Sequence, residues 1–426
     1  LANAITTRNS ATAPASTSAL APVFFYFFVA GIATVMLGPL LPCLIHQWSI
    51  PDAQAGTLFA ASAAGQFSGS WFAARNLRSS MLYGALFSAA GCFGMAYAGF
   101  NLAHLALFLV GLGIGSGLTA GNIFVGTFSS TSRGRLLAWL NVAWGAGAIS
   151  CPLLVKVVAH EHAFRFLLVA ATLLALAALF NTTLPHARSA TLRHIPTPSH
   201  LPLPLPQLLL FLSAMLIYIG TENALDGWLP TYATRMYPAT HASTVSLCFW
   251  IAELTGRAII ASVMIFFSEM ILFRLCLALL IGAQAVLCFS PHLSHGGIFA
   301  ITLLAGMTLA PLYPMLLSFL LLRTGNHPRL GQLFAVSAIG VALLPALTGI
   351  ISTWMRTLRA GLIVPAVGSI VLLALSRALN PGKASLQRTT ADRSAIPLGS
   401  LPNSIIAALE IDTAPYFQTL DSHQSS

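Results

Sequence analysis

Apolar stretches close to the length of a bilayer crossing follow one another from Val23 to about Leu379, and that succession leaves few folds open. A helix needs roughly 20 apolar residues to cross the hydrocarbon. Lipid offers no partner to backbone polar groups, so a spanning segment must be a helix or part of a closed barrel. Barrel strands alternate polar and apolar residues, whereas these runs are continuous. Charged residues make up 7% of the chain and hydrophobic ones 57%, above the roughly 45–50% usual for soluble proteins. The expected fold class is an all-α polytopic membrane protein.

Twelve spans are expected, at 23–45, 54–75, 80–100, 102–126, 136–158, 163–183, 208–232, 243–267, 271–290, 297–322, 331–354 and 359–379. An even count puts both termini on one side. Fourteen Lys and Arg residues then fall on that side, five on the other (Lys156, Arg165, Arg235, Arg356 and Arg359), and Arg257 inside a span. Basic loops stay in the cytoplasm, so both termini are expected there, with the chain in the cell (inner) membrane. The net charge of +10 is dispersed over short loops and reads as this orientation signal, not as a nucleic-acid surface. Residues 1–21 lack the basic start and cleavage site of a signal peptide and read as a disordered lead. The polar stretch 381–426 reads as a cytoplasmic tail. The six cysteines sit in or beside apolar spans without CxxC spacing, as small buried hydrophobes do.

The longest break, residues 184–207, carries an alternating Leu-Pro run. Proline there forbids a helix, so a cytoplasmic linker is expected between a six-span bundle at 22–183 and another at 208–380. The bundles echo each other. Gly65-Gln66-Phe67-Ser68-Gly69 parallels Ala252-Glu253-Leu254-Thr255-Gly256, and the spacing from Gly147 to Pro152 returns from Gly340 to Pro345. Internal repeats of this kind build transporters that rock one bundle against the other around a site near the midplane.

Four charges sit inside the spans: Glu222 and Asp226 in the seventh, Glu253 and Arg257 in the eighth. Each costs roughly 3 kcal/mol on insertion scales, so such residues usually line a polar cavity. Glu222 and Asp226 share a helix face, being four apart, and Tyr218 extends that face by one turn. At 1.5 Å per residue, Glu222 lies roughly 20 Å from the cytoplasmic start of its span and Asp226 roughly 27 Å. Asp226 is therefore expected near the outer mouth, in solvent, while also being a candidate solute contact. Glu253 lies roughly 15 Å down its span, and Arg257 one turn further offers an i, i+4 ion pair. Glu222 has no cation one turn away, and a desolvated carboxyl group costs least when it holds a proton. Glu222 is thus the first candidate for proton coupling, with Glu253 and its partner Arg257 the second. Solute-binding candidates are Gln66, Asn122, Asn141 and Trp144 in the first bundle, and Tyr218, Asn223, Asp226, Trp228 and Tyr313 in the second. Buried amides serve helix–helix hydrogen bonds equally well, and a Trp at that depth can be an interface anchor.

The run Gly111 to Gly121 follows no strand, so it reads as close helix packing and not as a dinucleotide loop. No Walker, HExxH or metal-spaced Cys/His pattern occurs. No cofactor is expected. The expected partners are a small-molecule solute, protons and the lipid bilayer, with no nucleic acid, and the chain is expected to be a monomer.

Four segments carry a resemblance. They are "YIGTENALDGWLPTY" (Tyr218 to Tyr232), Gly256-Arg257, "GPLLP" (Gly38 to Pro42) and "RGRLLAWLNVAWGAG" from Arg133. With the two halves they resemble the major facilitator superfamily over roughly residues 22–380. The branch they are similar to holds fucose–proton symporters and glucose transporter-like relatives. Ala73 and Ala74 stand where that family's loop after span two carries an Asp, and span one has no acid, unlike the fucose symporters. The resemblance implies the major facilitator fold, alternating access and no enzymatic activity. It implies secondary active transport of a small polar solute, a sugar among the options, by proton-coupled uptake. Proton-driven efflux of amphipathic compounds and a non-transporting sensor are the alternatives.

Overall fold

The computed structural model describes residues 20–73, 76–128, 133–158, 160, 162–184, 205–264, 266–290, 292–324 and 339–379. The described residues all belong to one compact unit that ends at Leu379. The expected tail at 381–426, residues 1–19 of the lead and residues 185–204 of the linker lie outside the described residues.

Every regular element among the described residues is helical. In order these are α1 (Ala21–Thr34), α2 (Leu37–Trp48), α3 (Asp52–Phe72), α4 (Leu77–Tyr97), α5 (Phe100–Phe128), α6 (Arg133–Leu153) and α7 (Ala163–Asn181). There follow α8 (Leu205–Met236), α9 (Ala242–Val263), α10 (Glu269–Phe289), α11 (His295–Leu309), α12 (Leu312–Thr324), α13 (Ile339–Met355), α14 (Leu358–Gly361) and α15 (Ile363–Leu379). They make twelve crossings, since α1–α2, α11–α12 and α14–α15 are each one crossing. Ten crossings are long and apolar enough to span on those grounds alone. The others are α3, rich in Gln, Ser and Thr, and α13, an apolar helix of 17 residues. The fold is an all-α membrane fold of two six-helix bundles. The linker was expected to reach Gln207, but α8 already begins at Leu205. Pro206 sits in its first turn, where the missing N–H is no loss.

Prolines place the breaks. Pro39 stands four residues after Val35, and its ring opposes that carbonyl, so the first crossing splits at Val35–Met36. Pro314 stands four after Ala310, where α11 gives way to α12. Pro152 is followed by one π-helical turn, Leu154–Val158, a common way to absorb a lost backbone bond. Side-chain caps start α4 (Asn76 accepts from the Ser79 N–H, 3.1 Å) and α11 (Ser294 accepts from the Gly297 N–H, 3.1 Å).

Within the first six crossings α5 packs against α3 and α4, and α1 against α6. Glycines make this possible. A side chain on Gly111 or Gly115 would meet the backbone of Ser62 or Gln66 on α3, which bears out close packing in the Gly111–Gly121 run. The last six pack mainly as α9–α11, α8–α13, α8–α15 and α10–α11. The bundles meet through α3–α13, α2–α8, α2–α9 and α6–α9. Call the face where α1 begins and α15 ends the terminal face, and the opposite one the distal face. It is α2, the distal half of the first crossing, that touches α8 and α9. Gly56 at the distal end of α3 lies against Pro345 and Ala346 of α13. Large side chains left exposed, such as Tyr97, Phe289 and Trp354 distally and Trp71 and Phe266 terminally, form aromatic girdles of the kind found at membrane interfaces.

Candidate functional site

The charged residues of the seventh and eighth crossings come together. α8 runs towards the distal face and α9 returns beside it, so Glu222 lies roughly 21 Å and Glu253 roughly 17 Å from the distal helix ends. The Tyr218 hydroxyl donates to Glu222 Oε1 at 2.9 Å. Arg257 Nη2 donates to Glu253 Oε1, one turn away on α9. Glu253 is buried, with a side chain 2% exposed, and Arg257 reaches further out at 35%. Glu222 lies within electrostatic reach of both Glu253 and Arg257. Tyr313 of α12 places its ring 5.9 Å from that of Tyr218 and also lies in the field of Glu222 and Arg257. Among the described residues, Glu253 Oε2 and Arg257 Nε have no hydrogen-bond partner.

Asp226 is deeper than expected. It is 9% exposed and accepts a hydrogen bond from Trp250 Nε1 at 2.8 Å, so it is not a solvated mouth residue. The cause is the length of α8, which continues past Tyr232 to Met236 and leaves Asp226 roughly 15 Å inside its distal end. Trp250 packs edge-on against Trp144 of α6 at 5.7 Å. Asp226 is thereby tied to a contact between the two bundles.

Trp228 is fully buried. Its indole N–H donates to the Pro345 carbonyl on α13 at 3.0 Å, and its ring lies 6.3 Å from Phe59 of α3. In this conformation it fastens three helices. Four amides make hydrogen bonds inside their own helices. Asn122 donates to the Leu118 carbonyl, Asn141 to Leu137, Asn223 to Ile219, and Gln66 to Ser62 Oγ at 3.4 Å. Asn122 and Asn141 are exposed, Gln66 and Asn223 half-buried.

The sequence reading missed a second charged group. Asp52, the first residue of α3, accepts from Arg235 of α8 through both oxygens, at 2.7 and 2.5 Å. Ser352 of α13 donates to Asp52 Oδ2 at 2.5 Å. The Ala53 N–H donates to Thr353 Oγ1 at 2.8 Å, and Lys156 donates to Thr244 Oγ1 at 3.1 Å. All of these tie the first six crossings to the last six on the distal face. One signal was available: the span count already places Asp52 and Arg235 on the same face.

A family model described as Major Facilitator Superfamily matches residues 23–330. Curated protein sequences give no match. Solved structures with the same fold include a nucleoside transporter, at 12% identity and TM-score 0.68, covering 85% of this chain and 99% of that one. A bacterial homologue of the human lysosomal transporter Spinster matches at 13% identity and TM-score 0.66, over 86% and 97% of the two chains. The E. coli fucose:proton symporter matches at 17% identity and TM-score 0.55, over 85% and 99%. Identities this low speak to the fold alone.

Proposed function

Because the chain belongs to the Major Facilitator Superfamily, and is on that ground a multi-pass membrane transporter and not an enzyme, we propose that it takes up a small neutral polar solute together with a proton. The observation that carries this reading is the cluster of Glu222, Glu253 and Arg257 at mid-depth. Two carboxyl groups facing one guanidinium are neutral when they hold one proton. An uncompensated charge in this setting is costly, so the cluster favours a cycle with one proton taken and one released. Glu253 is engaged by Arg257, which leaves Glu222 to carry the proton. A protonated Glu222 is a donor, and Glu253 Oε2 is an acceptor waiting for one. On release of the proton, Glu222 turns to Arg257, whose Nε is unpaired.

The solute meets polar groups around this cluster: Tyr218, Asn223 and Tyr313 from the last six crossings, Gln66, Asn122, Asn141 and the indole of Trp144 from the first. Asp226 and Trp228 are engaged in this conformation and reach the solute only after the bundles move. The fucose:proton symporter and the nucleoside transporter among the structural neighbours act on hydroxyl-rich molecules, and a site lined by neutral donors suits that class. The distal ties at Asp52 close one side, so rocking of the bundle at 22–183 against that at 208–380 opens it. We place the termini in the cytoplasm, the distal face outside the inner membrane, and the functional unit as a monomer.

The test is uptake into proteoliposomes under an imposed pH gradient, with labelled sugars and nucleosides as probes. Wild-type protein concentrates one of them, and Glu222→Gln loses that accumulation about tenfold or more while still exchanging the solute. Full accumulation by Glu222→Gln removes it as the proton carrier. Absence of flux for every probe in either direction removes the transport of this solute class.

A further inference from the structure

The charge at mid-depth is one-sided. The first bundle has no Lys, Arg, Asp or Glu at 21–51, 53–74, 79–132, 136–155 or 166–187, so its crossings bring no charge to the middle of the membrane. The second bundle brings two carboxyl groups, Glu222 and Glu253, against one guanidinium, Arg257. Without a proton this cluster carries one net negative charge. Asp226 stands one turn along α8, within the field of Glu253, and its hydrogen bond from the Trp250 indole adds no positive charge. An uncompensated charge at such a place is costly, so the cluster calls for one cation. Its chemistry says which kind. The two carboxyl groups lie within hydrogen-bonding reach of each other. Arg257 engages Oε1 of Glu253, and the buried Oε2 has no hydrogen-bond partner among the described residues. Glu222 keeps some exposed surface. The rings of Tyr218 and Tyr313 stand beside it, 5.9 Å apart, and the faces of such rings attract a cation. Calcium and magnesium want six or more oxygen ligands, and among the described residues no three His, Cys, Asp or Glu side chains gather to hold a metal ion. A primary ammonium has three N–H donors, enough to serve both carboxylates.

We propose that this cluster is also a binding site for a primary organic ammonium, held by Glu222 and Glu253 in the place of the coupling proton, which makes amine-bearing polar solutes a second ligand class. The proposal rests on the reading of Glu222 as the proton carrier. The charge count is the same either way. A neutral solute with one proton and an ammonium-bearing solute without one both leave the cluster neutral, so the ammonium expels the proton when it binds. The titratable groups around Glu222 are Tyr218 and Asp226 on α8, Glu253 and Arg257 on α9 and Tyr313 on α12.

Methylammonium is the minimal probe. Full-length protein in nanodiscs and amine-free buffer is held at the pH where its carboxylic acid band is half titrated in infrared difference spectra. It is then titrated with methylammonium, with sodium at equal ionic strength as the control. We expect the band to fall saturably with methylammonium and to stay with sodium, about one proton being released for each ammonium bound. Affinity measured calorimetrically should fall about tenfold for each pH unit below that midpoint. It should fall about tenfold or more in Glu222→Gln, whereas Glu222→Asp keeps the charge, recovers most of the binding and guards against a folding defect. A titrating band that methylammonium leaves unchanged, an equal response to sodium, or binding unaltered in Glu222→Gln overturns the proposal and leaves the proton carrier standing. A wild-type protein with no titrating carboxyl band removes the proton carrier, and this proposal with it.

Discussion

Two ion pairs of this molecule look alike in chemistry and in burial and differ in the helices they join. Glu253 and Arg257 lie four residues apart on one helix, with the acid buried. Asp52 and Arg235 lie 183 residues apart on helices of different bundles, again with a buried acid and a partly exposed arginine, 43% against 35% for Arg257. Rigid rocking of the bundles leaves the first pair whole and pulls the second apart. A latch broken in every cycle has to be weak, and a partly exposed pair is worth up to about 1 kcal/mol. A pair in the interior can be firm, because no conformational step has to break it. On the proposed function, the distal pair belongs to motion and the inner one to chemistry.

The sharpest way to break this contrast is to remove one member of each pair. Arg257→Gln leaves Glu253 buried and uncompensated, which should cost about 3–5 kcal/mol of stability. Glu253→Gln/Arg257→Gln should recover most of that loss, and thermal unfolding in detergent reads both. Recovery that fails to appear would mean the pair is held by something besides charge. Asp52→Asn should leave thermal stability within about 1 kcal/mol of wild type and shift the bundles towards a distally open state by about fivefold. Spin labels at His160 and Ala239, exposed on distal loops of different bundles, measure that shift. An unchanged distance distribution would deny Asp52 its role as a latch. Trp228→Phe keeps the ring packing and loses the bond to the Pro345 carbonyl, a cost of about 1 kcal/mol. The smallest expected effect is that of Asn122→Ala and Asn141→Ala on stability, within about 0.5 kcal/mol, because each amide donates to a carbonyl of its own helix. Their effect should appear instead as weaker solute binding.

The same contrast explains what could be read in the sequence. The helices were legible because apolar length marks each crossing, and among the described residues the observed starts and ends fall close to those expected; residues 331–338 of the eleventh span lie outside them. The inner pair was legible because a spacing of four is itself the geometry. Asp226 was misplaced because the seventh span was ended where apolarity fades, at Tyr232, while the helix runs on through Arg235. Its partner Trp250 and the Trp228 bond to Pro345 depend on which helices become neighbours. No local pattern encodes that. The Asp52–Arg235 pair depends on it most of all. The side assignment put both residues on one face, but only the packing of α3 against α13 and of α2 against α8 brings them together.

The central claim is that Glu222 is the group that gains and loses the coupling proton. Infrared difference spectroscopy of the lipid-reconstituted protein across a pH titration sees a protonated carboxyl group directly, by its carbonyl stretch, without knowledge of the solute. A titrating carboxylic acid band that is present in wild type, retained in Glu253→Gln and missing in Glu222→Gln is the expected result. A band that survives unchanged in Glu222→Gln would contradict the account.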